Sequence, residues 1–429
     1  MRKRAVARSG ESVEKKVRNE DDRAMQEDRY DVLIVGGGPV GLALALALTR
    51  FLEGTRVAIL DRRPVTVPND KRASAIAAGV RRVLEGLGVW SQIAAEAEPV
   101  REMRITDSGE GDLSRPLFLA FEGEVARGEP FAHMVPNTVM AAAMLAGLEG
   151  KVDFLAPVEV RAFAAEAGGG VLSLADGRQV RAPLVVAADG ANSALRNMAG
   201  IKTVAHDYGQ SGIVTTIGHE LDHEGVAYEH FRPAGPFASL PLPGRRSSLV
   251  WTERPEDAAR YLAQPPEEVA LAIEAVMGST LGKVTLEDQL QVFPLRLQIA
   301  RDFAAPRLAL VGDAAHVVHP IAGQGLNLGL KDVAALAEIV VGAMRLGLDH
   351  GADDVLVAYE RWRRLDTALM AMVTDGMNRL FSNDIAPVRA LRDFGLGLVD
   401  RLPPAKDFLI SRAAGLDAGG PKLLRGLPL

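Results

Sequence analysis

The 429-residue chain contains no cysteine. It therefore has no disulfide, no thiolate nucleophile and no Cys-ligated zinc or iron–sulfur centre. No apolar run reaches the roughly 18–20 residues of a membrane span; the best, Val40 to Leu48, ends at Thr49-Arg50. A secretory h-region is missing too, because residues 1–29 carry nine Lys/Arg and seven Asp/Glu with no apolar stretch. That segment reads as a solvated, disordered tail. An excess of positive charge is also absent. Lys+Arg is 49 against 55 Asp+Glu, a net −6 with no global pull toward nucleic acid. What is present is ordinary globular composition, 48% hydrophobic and 24% charged, in a length that suits two to three domains.

Order begins at Tyr30. Asp31-Val-Leu-Ile-Val35 reads as a buried strand, Leu42 to Leu52 as an Ala/Leu-rich helix, and Arg56 to Leu60 as a second strand. Between strand and helix lies Gly36-x-Gly38-x-x-Gly41. Glycines at this spacing permit a tight turn, close backbone approach to a pyrophosphate and close helix–strand packing. Asp61 closes the second strand, where a carboxylate suits a ribose 2′-hydroxyl. Further along, residues 74–97 read as helical, 101–122 as two strands, and 152–174 as two strands joined at Gly168-Gly169-Gly170. Residues 202–292 change style to strands with polar turns, interrupted by one helix, Pro266 to Met277. Near 293 the first style returns. Strand Arg307 to Val311 runs into Gly312-Asp313, and Pro320-Ile-Ala-Gly323-Gln324-Gly325-Leu326-Asn327 opens a helix. Asp313 at a strand end suits sugar-like hydroxyls. Gly323 and Gly325 bare N–H groups that stabilise negative charge on a heteroaromatic ring. A third segment, Ala187-Ala-Asp189-Gly190-Ala-Asn-Ser193, ends a strand in Asp-Gly, which by itself marks only a turn.

The predicted fold class is α/β: a Rossmann-like nucleotide domain (30–100, 133–201, 293–350) interleaved with a mainly antiparallel β-sheet substrate domain (101–132, 202–292) and followed by C-terminal helices (351–429).

Through these motifs the chain resembles the FAD-dependent aromatic hydroxylases, flavoprotein monooxygenases of the para-hydroxybenzoate hydroxylase type. It is most similar to the ubiquinone-biosynthesis hydroxylases that act on polyprenylated phenols. Arg72 to Ile76, Pro136-Asn137, Phe237 to Leu242, Val250-Trp251, Phe293 to Leu295 and Gly312 to Asp332 carry the likeness, with Met377 to Asn383 and Arg389 to Arg392 in the tail. The resemblance implies that Gly36, Gly38 and Gly41 face the FAD pyrophosphate, Asp61 the adenosine ribose, and Arg72 the pyrophosphate or ribityl chain. It assigns Asp189 and Gly190 to FAD and productive NAD(P)H use and Asp313 to the ribityl hydroxyls. Pro320 and Gly323, Gln324, Gly325, Leu326 and Asn327 would line the isoalloxazine. It further implies reduction by transient NAD(P)H or another donor, addition of O₂ at flavin C4a, and delivery of the distal peroxide oxygen to a phenol ring. No second Gly-x-Gly-x-x-Gly at a strand end offers a separate NAD(P)H domain.

The expected partner is a lipophilic phenol. A cytoplasmic location, peripheral contact with the inner membrane, a quinone-biosynthesis complex and a homo-oligomer are all compatible with it; nucleic acid is not expected. Residues 387–429, with seven Lys/Arg against four Asp/Glu, permit weak attraction to anionic lipid. Monooxygenation of another aromatic, or a non-catalytic FAD-binding scaffold, stays open. One decoy is His219-Glu220-Leu221-Asp222-His223, which matches the zinc-protease pattern. Its strand-like approach and flanking Gly218 and Gly225 favour a polar turn. His316 and His319 read as structural hydrogen-bonders, and Tyr228, His230 and Arg232 as alternating residues of a sheet strand.

Overall fold

Val32–Val35 and Val57–Leu60 are unbroken apolar runs, a pattern that suits strands covered on both faces. The computed structural model describes residues 29–69, 71–107, 117–122, 124–126, 128–382, 414–416 and 419–429. The two runs lie side by side in a six-stranded sheet, ordered Asp153–Leu155, Val57–Leu60, Val32–Val35, Leu184–Ala187, Leu308–Leu310 and Ala304–Ala305. All but the last pair in parallel. Parallel pairing sends the chain off one edge at Gly36, Asp61, Ala188 and Val311 together, where open α/β sheets bind their ligands. Helix Pro39–Phe51 packs against this sheet with Gly41 through Leu48 fully covered, and helix Gln324–Arg345 lies beside it.

A larger sheet runs His316–Val317, Gln291–Ala300, Thr203–His219, Arg246–Glu253, Phe237–Leu242, Val226–Phe231, Glu102–Asp107, Leu117–Glu122, with Val284–Leu286 beside Thr203–His219. One face, bearing Ile213, Phe237, Leu249 and Trp251, packs on helices Pro255–Leu262 and Pro266–Met277. The other turns toward the small sheet that holds Ala73–Ala77 and Ala132–Pro136. The long helix Asp353–Phe381 closes the side, with the Tyr359 hydroxyl donating to Leu310 O at 2.7 Å. No helix among the described residues is long and apolar enough to cross a membrane.

Several local expectations change. The stretch 74–97 opens as a strand, Ala73–Ala77, before helices Ala78–Gly86 and Trp90–Ile93. Pairing with Ala132–Pro136 overrides the helix propensity of its alanines. The stretch 152–174 is three strands, because Asp153–Leu155 joins the parallel sheet while Val160–Glu166 and Gly169–Leu174 form a meander with Gln179–Ala182. Gln291–Ala300 pairs with Thr203–His219, so the chain re-enters the parallel layer at Ala304 and not at 293. Helix Pro255–Leu262 is an addition. The tail 1–28, residues 383–413 and the motif around Arg389 lie outside the described residues.

Candidate active site

The glycine loop separates into two kinds of position. At Gly36 φ is +119°, and an added Cβ would meet Ala188 O at 2.1 Å. At Gly41 it would meet Gly36 O at 2.0 Å. Those two glycines are required by the protein itself. Gly38 has φ −77° and ψ 177°, which any residue tolerates, and its Cβ would meet nothing within 4 Å. Whatever demands a glycine there lies outside the chain. Helix Pro39–Phe51 begins directly afterwards with no side-chain cap and no acid in its first turn. Its positive end therefore stays available to an anion.

Asp61 stands at the next strand end. Its carboxylate accepts from Gly37 N at 2.9 Å and Arg63 N at 2.9 Å, leaving lone-pair directions for sugar hydroxyls. Asp61→Ala is expected to weaken FAD binding by roughly 10- to 100-fold, the worth of one charge-assisted hydrogen bond. Fluorescence titration of apoprotein measures this; unchanged affinity would remove Asp61 from the site.

Asp189 and Gly190 (φ +85°) follow the third strand end. Asp189 Oδ2 accepts from Ala194 N at 2.7 Å and Leu195 N at 3.3 Å, and so caps the short helix Ala194–Met198. The buried Arg196 guanidinium donates to Ala191 O and, at 2.9 Å, to Ala314 O. This bridge fastens the Asp-Gly segment to the Gly312-Asp313 loop. Arg296 donates to Asn192 Oδ1, and Gln298 to Ala191 O.

The fourth strand end converges with the first. Val40 packs on both Gly312 and Gly329, close enough that a Cβ on either would press on it. Asp313 is accessible yet walled by protein, as a group lining a cleft is. Burial pushes its carboxyl up, with His316 and Arg296 opposing. Pro320 leads into the turn Ile321–Gly323, and Gly323 (φ +63°) caps helix Gln324–Arg345, resting on Ala75. A Cβ on Gly325 would meet nothing within 4 Å, and the first helical turn carries no acid. Gln324 is buried and Leu326 half-buried against the main core. Asn327, expected at the ring, spends its amide on protein. Its Oδ1 accepts from Ala77 N, and its Nδ2 donates to Ala75 O and Gly323 O. It is a clamp between the Gly323 turn and the strand Ala73–Ala77. Arg72, just before that strand, lies over the Phe293 ring at 5.5 Å.

Sequence reading passes over a buried triad beneath the loop. Asp332 accepts from Gly312 N at 2.9 Å, His316 Nε2 at 2.6 Å and Arg363 Nε at 2.7 Å. Burial alone would push this carboxyl up, but His316 and Arg363 outweigh it and hold it below the ordinary carboxylate range. The i, i+3 partner Asp366 holds the far side of Arg363 at 2.7 Å. His316 is thus a hydrogen-bonder as expected. His319 is not: among the described residues both buried ring nitrogens lack a hydrogen-bond partner, the ring meets Tyr208 edge-on, and desolvation depresses it to about 4.

Glu229 was also missed. It is 5% exposed, and burial alone pushes its carboxyl up to about 7. An acid whose folded value exceeds its unfolded value near 4.3 costs stability as pH rises between the two. Glu229→Gln is therefore expected to be more stable than the parent at pH 8. The gain should shrink to nothing by about pH 4, read from urea midpoints.

The zinc-protease pattern is a turn. His219 ends the strand Thr203–His219, and each ring nitrogen of the pair is engaged. His219 contacts Leu221 O and Ser247 Oγ; His223 contacts Leu242 O and Gly225 N.

The strand ends thus present an uncapped helix start, the Asp61 carboxylate and, after the last strand, the cleft-lining Asp313 carboxylate and another bare helix start. Gly38 and Gly325 have no reason within the protein to be glycines. A long dinucleotide, anionic at its middle and ending in a ring that becomes electron-rich, explains both, so the residues fit FAD.

Comparison with known proteins agrees. The FAD binding domain family profile matches residues 29–373. Ubiquinone hydroxylase UbiL of Rhodospirillum rubrum is 45% identical over 409 residues, covering 93% of each chain. The 3-demethoxyubiquinol 3-hydroxylase of Escherichia coli is 35% identical, covering 91% of this chain and all of its own. The crystal structure of p-nitrophenol 4-monooxygenase PnpA from Pseudomonas putida superposes with a TM-score of 0.77 at 20% identity, over 91% of this chain and 100% of that one, a likeness of fold. The chain belongs to the FAD-dependent aromatic hydroxylases, in the branch of the ubiquinone hydroxylases.

Proposed function

We propose that this protein hydroxylates the aromatic ring of a polyprenylated phenol in ubiquinone biosynthesis. FAD is the cofactor, O₂ the co-substrate, and NAD(P)H or another external donor the reductant. The observation that carries the reading is the convergence of Gly38, Asp61, Asp313 and Gly325 on one sheet edge. The near-complete overlap with the Rhodospirillum rubrum ubiquinone hydroxylase supports the substrate class.

Bound FAD would supply the electrons that activate O₂, and O₂ the oxygen atom that enters the ring. The chain supplies the rest. The first turn of helix Pro39–Phe51 holds the pyrophosphate, and Asp61 and Asp313 hold the two sets of hydroxyls. The N–H groups around Gly325 stabilise the negative charge that reduction places on the ring. Arg196 and Asp332 fix the loops so that these donors need no rearrangement. Met134, Ala227 and Leu242 form a buried apolar core under Ala73 and Ala75, the strand on which Gly323 rests, and so keep water from that side of the turn.

A lipid-tailed substrate would make peripheral contact of a cytoplasmic protein with the inner membrane useful, and a complex with other quinone enzymes or a homo-oligomer is compatible with it. Liposome flotation with and without residues 387–429 tests the membrane contact; equal flotation counts against it. The reaction is tested by deleting the gene and measuring quinone precursors by mass spectrometry. A prenylphenol lacking one hydroxyl is expected to accumulate. Unchanged pools would overturn the assignment.

A further inference from the structure

Along the strand Val226–Phe231, alternation sets Ala227, Glu229 and Phe231 on one face. Ala227 packs with Val100, Met134 and Leu242 against Ala73 and Ala75. Phe231 packs with Ile105 against Met377 and Leu380 of the long helix. Glu229 lies between them, roughly 7 Å along the strand from each. Ala75 is also the residue on which Gly323 rests, so this face and the ring-holding turn meet the same strand, Ala73–Ala77. Tyr228 belongs to the other face, against the Trp251 cluster.

The surroundings of Glu229 are apolar. Ala238 and Ile105 flank it on the neighbouring strands, and Met377 and Leu380 of the helix pack on the adjacent Ile105 and Phe231. It has no hydrogen-bond or ion-pair partner among the described residues, and no charged group among them acts on it; desolvation alone shifts it. Buried polar groups are nearly always partnered. An orphaned carboxyl on the face that meets the strand under the ring-holding turn points to a partner that arrives with the substrate.

We propose that Glu229 receives the ring hydroxyl of the phenol and takes its proton as the new carbon–oxygen bond forms, an inference that rests on the reaction proposed above. The ring carbon's electron pair makes the bond to the oxygen atom that reduced cofactor and O₂ supply, and that atom's bond to its donor breaks, the pair leaving with the donor. The ring hydroxyl becomes a protonated carbonyl, far more acidic than a free phenol near 10, and passes its proton to the Glu229 carboxylate. Loss of the carbon-bound proton to water restores aromaticity, and Glu229 returns its proton to the ring oxygen.

The test uses FAD-loaded protein, 2-farnesylphenol and its methyl ether. Wild type is expected to perturb its flavin spectrum with the phenol at about tenfold or more lower concentration than with the ether. Glu229→Leu is expected to erase that preference while keeping its flavin. Turnover of wild type should rise with pH as Glu229 ionises. Glu229→Gln should lose roughly 100-fold or more in hydroxylation together with that rising limb, and Glu229→Asp should regain part of both. Equal binding of phenol and ether by wild type, or the same pH limb in Glu229→Gln, overturns the role of Glu229. Preferential binding of the phenol without any hydroxylated product overturns the assigned reaction and the proton transfer, and leaves Glu229 as the contact for the ring hydroxyl.

Discussion

Gly41→Ala is expected to yield colourless, poorly folded protein, whereas Gly38→Ala yields colourless protein that melts at or above the temperature of the parent apoprotein. The opposite signs follow from what each methyl group would touch. At Gly41 it would sit 2.0 Å from Gly36 O, a backbone atom wedged between two sheet strands. Overpacking of this kind costs about 1–3 kcal/mol and often more where backbone must move. Helix Pro39–Phe51 would be pushed off the sheet it covers. At Gly38 the backbone angles suit alanine and no atom lies within 4 Å. The substitution there trims unfolded-state entropy, a gain of about 0.4–1 kcal/mol. Its methyl group instead occupies the space a pyrophosphate needs, and FAD affinity should fall by about 100-fold or more. Thermal melts of both apoproteins and flavin content after purification check the pair. Full flavin retention by Gly38→Ala would place the pyrophosphate elsewhere.

The second large effect belongs to Asp332. Its removal leaves the Arg363 guanidinium with only Asp366 on its far side, and strips the buried His316 ring and Gly312 N of their acceptor. Breaking one side of a buried ion pair costs about 3–5 kcal/mol. Asp332→Ala should lose that much unfolding free energy and release FAD, because the Gly312-Asp313 loop hangs from this carboxylate. The effect has a pH signature. Asp332 titrates below its unfolded value in the folded chain, so its contribution is complete above about pH 4 and fades as pH falls below that. Replacing both charges, as Asp332→Leu with Arg363→Met, should restore much of the stability but not the flavin. A double mutant no more stable than Asp332→Ala would show that the network is not a desolvated ion pair.

The cofactor half of this site is legible in the residues because its signals are local. A glycine at a fixed offset from a buried strand, or an acid closing the next one, can be read within thirty residues. The supports are not legible, because each depends on a partner far along the chain. Asp332 looks like one more charge on a long helix until Gly312 and Arg363 are brought to it. Glu229 looks like the polar member of an alternating strand until both faces of its sheet prove to be covered. Ala73–Ala77 reads as helix from its alanines, and only Ala132–Pro136 makes it a strand. Asn327 belongs to a ring-binding motif by position, yet its amide is consumed by the backbone it organises.

The parallel sheet is assembled from Val32–Val35, Val57–Leu60, Asp153–Leu155, Leu184–Ala187 and Leu308–Leu310, and the anchor of its last loop is Arg363. On the ribosome, Val32–Val35 therefore emerges long before its neighbour Leu184–Ala187 has been translated. Sticky edges stay open for most of synthesis, and non-local pairing of this kind is slow and prone to aggregation. Newly made chains expose those edges until the later strands follow, and a fragment that stops short of Arg363 lacks the outer anchor of the Asp332 carboxylate from which the Gly312-Asp313 loop hangs.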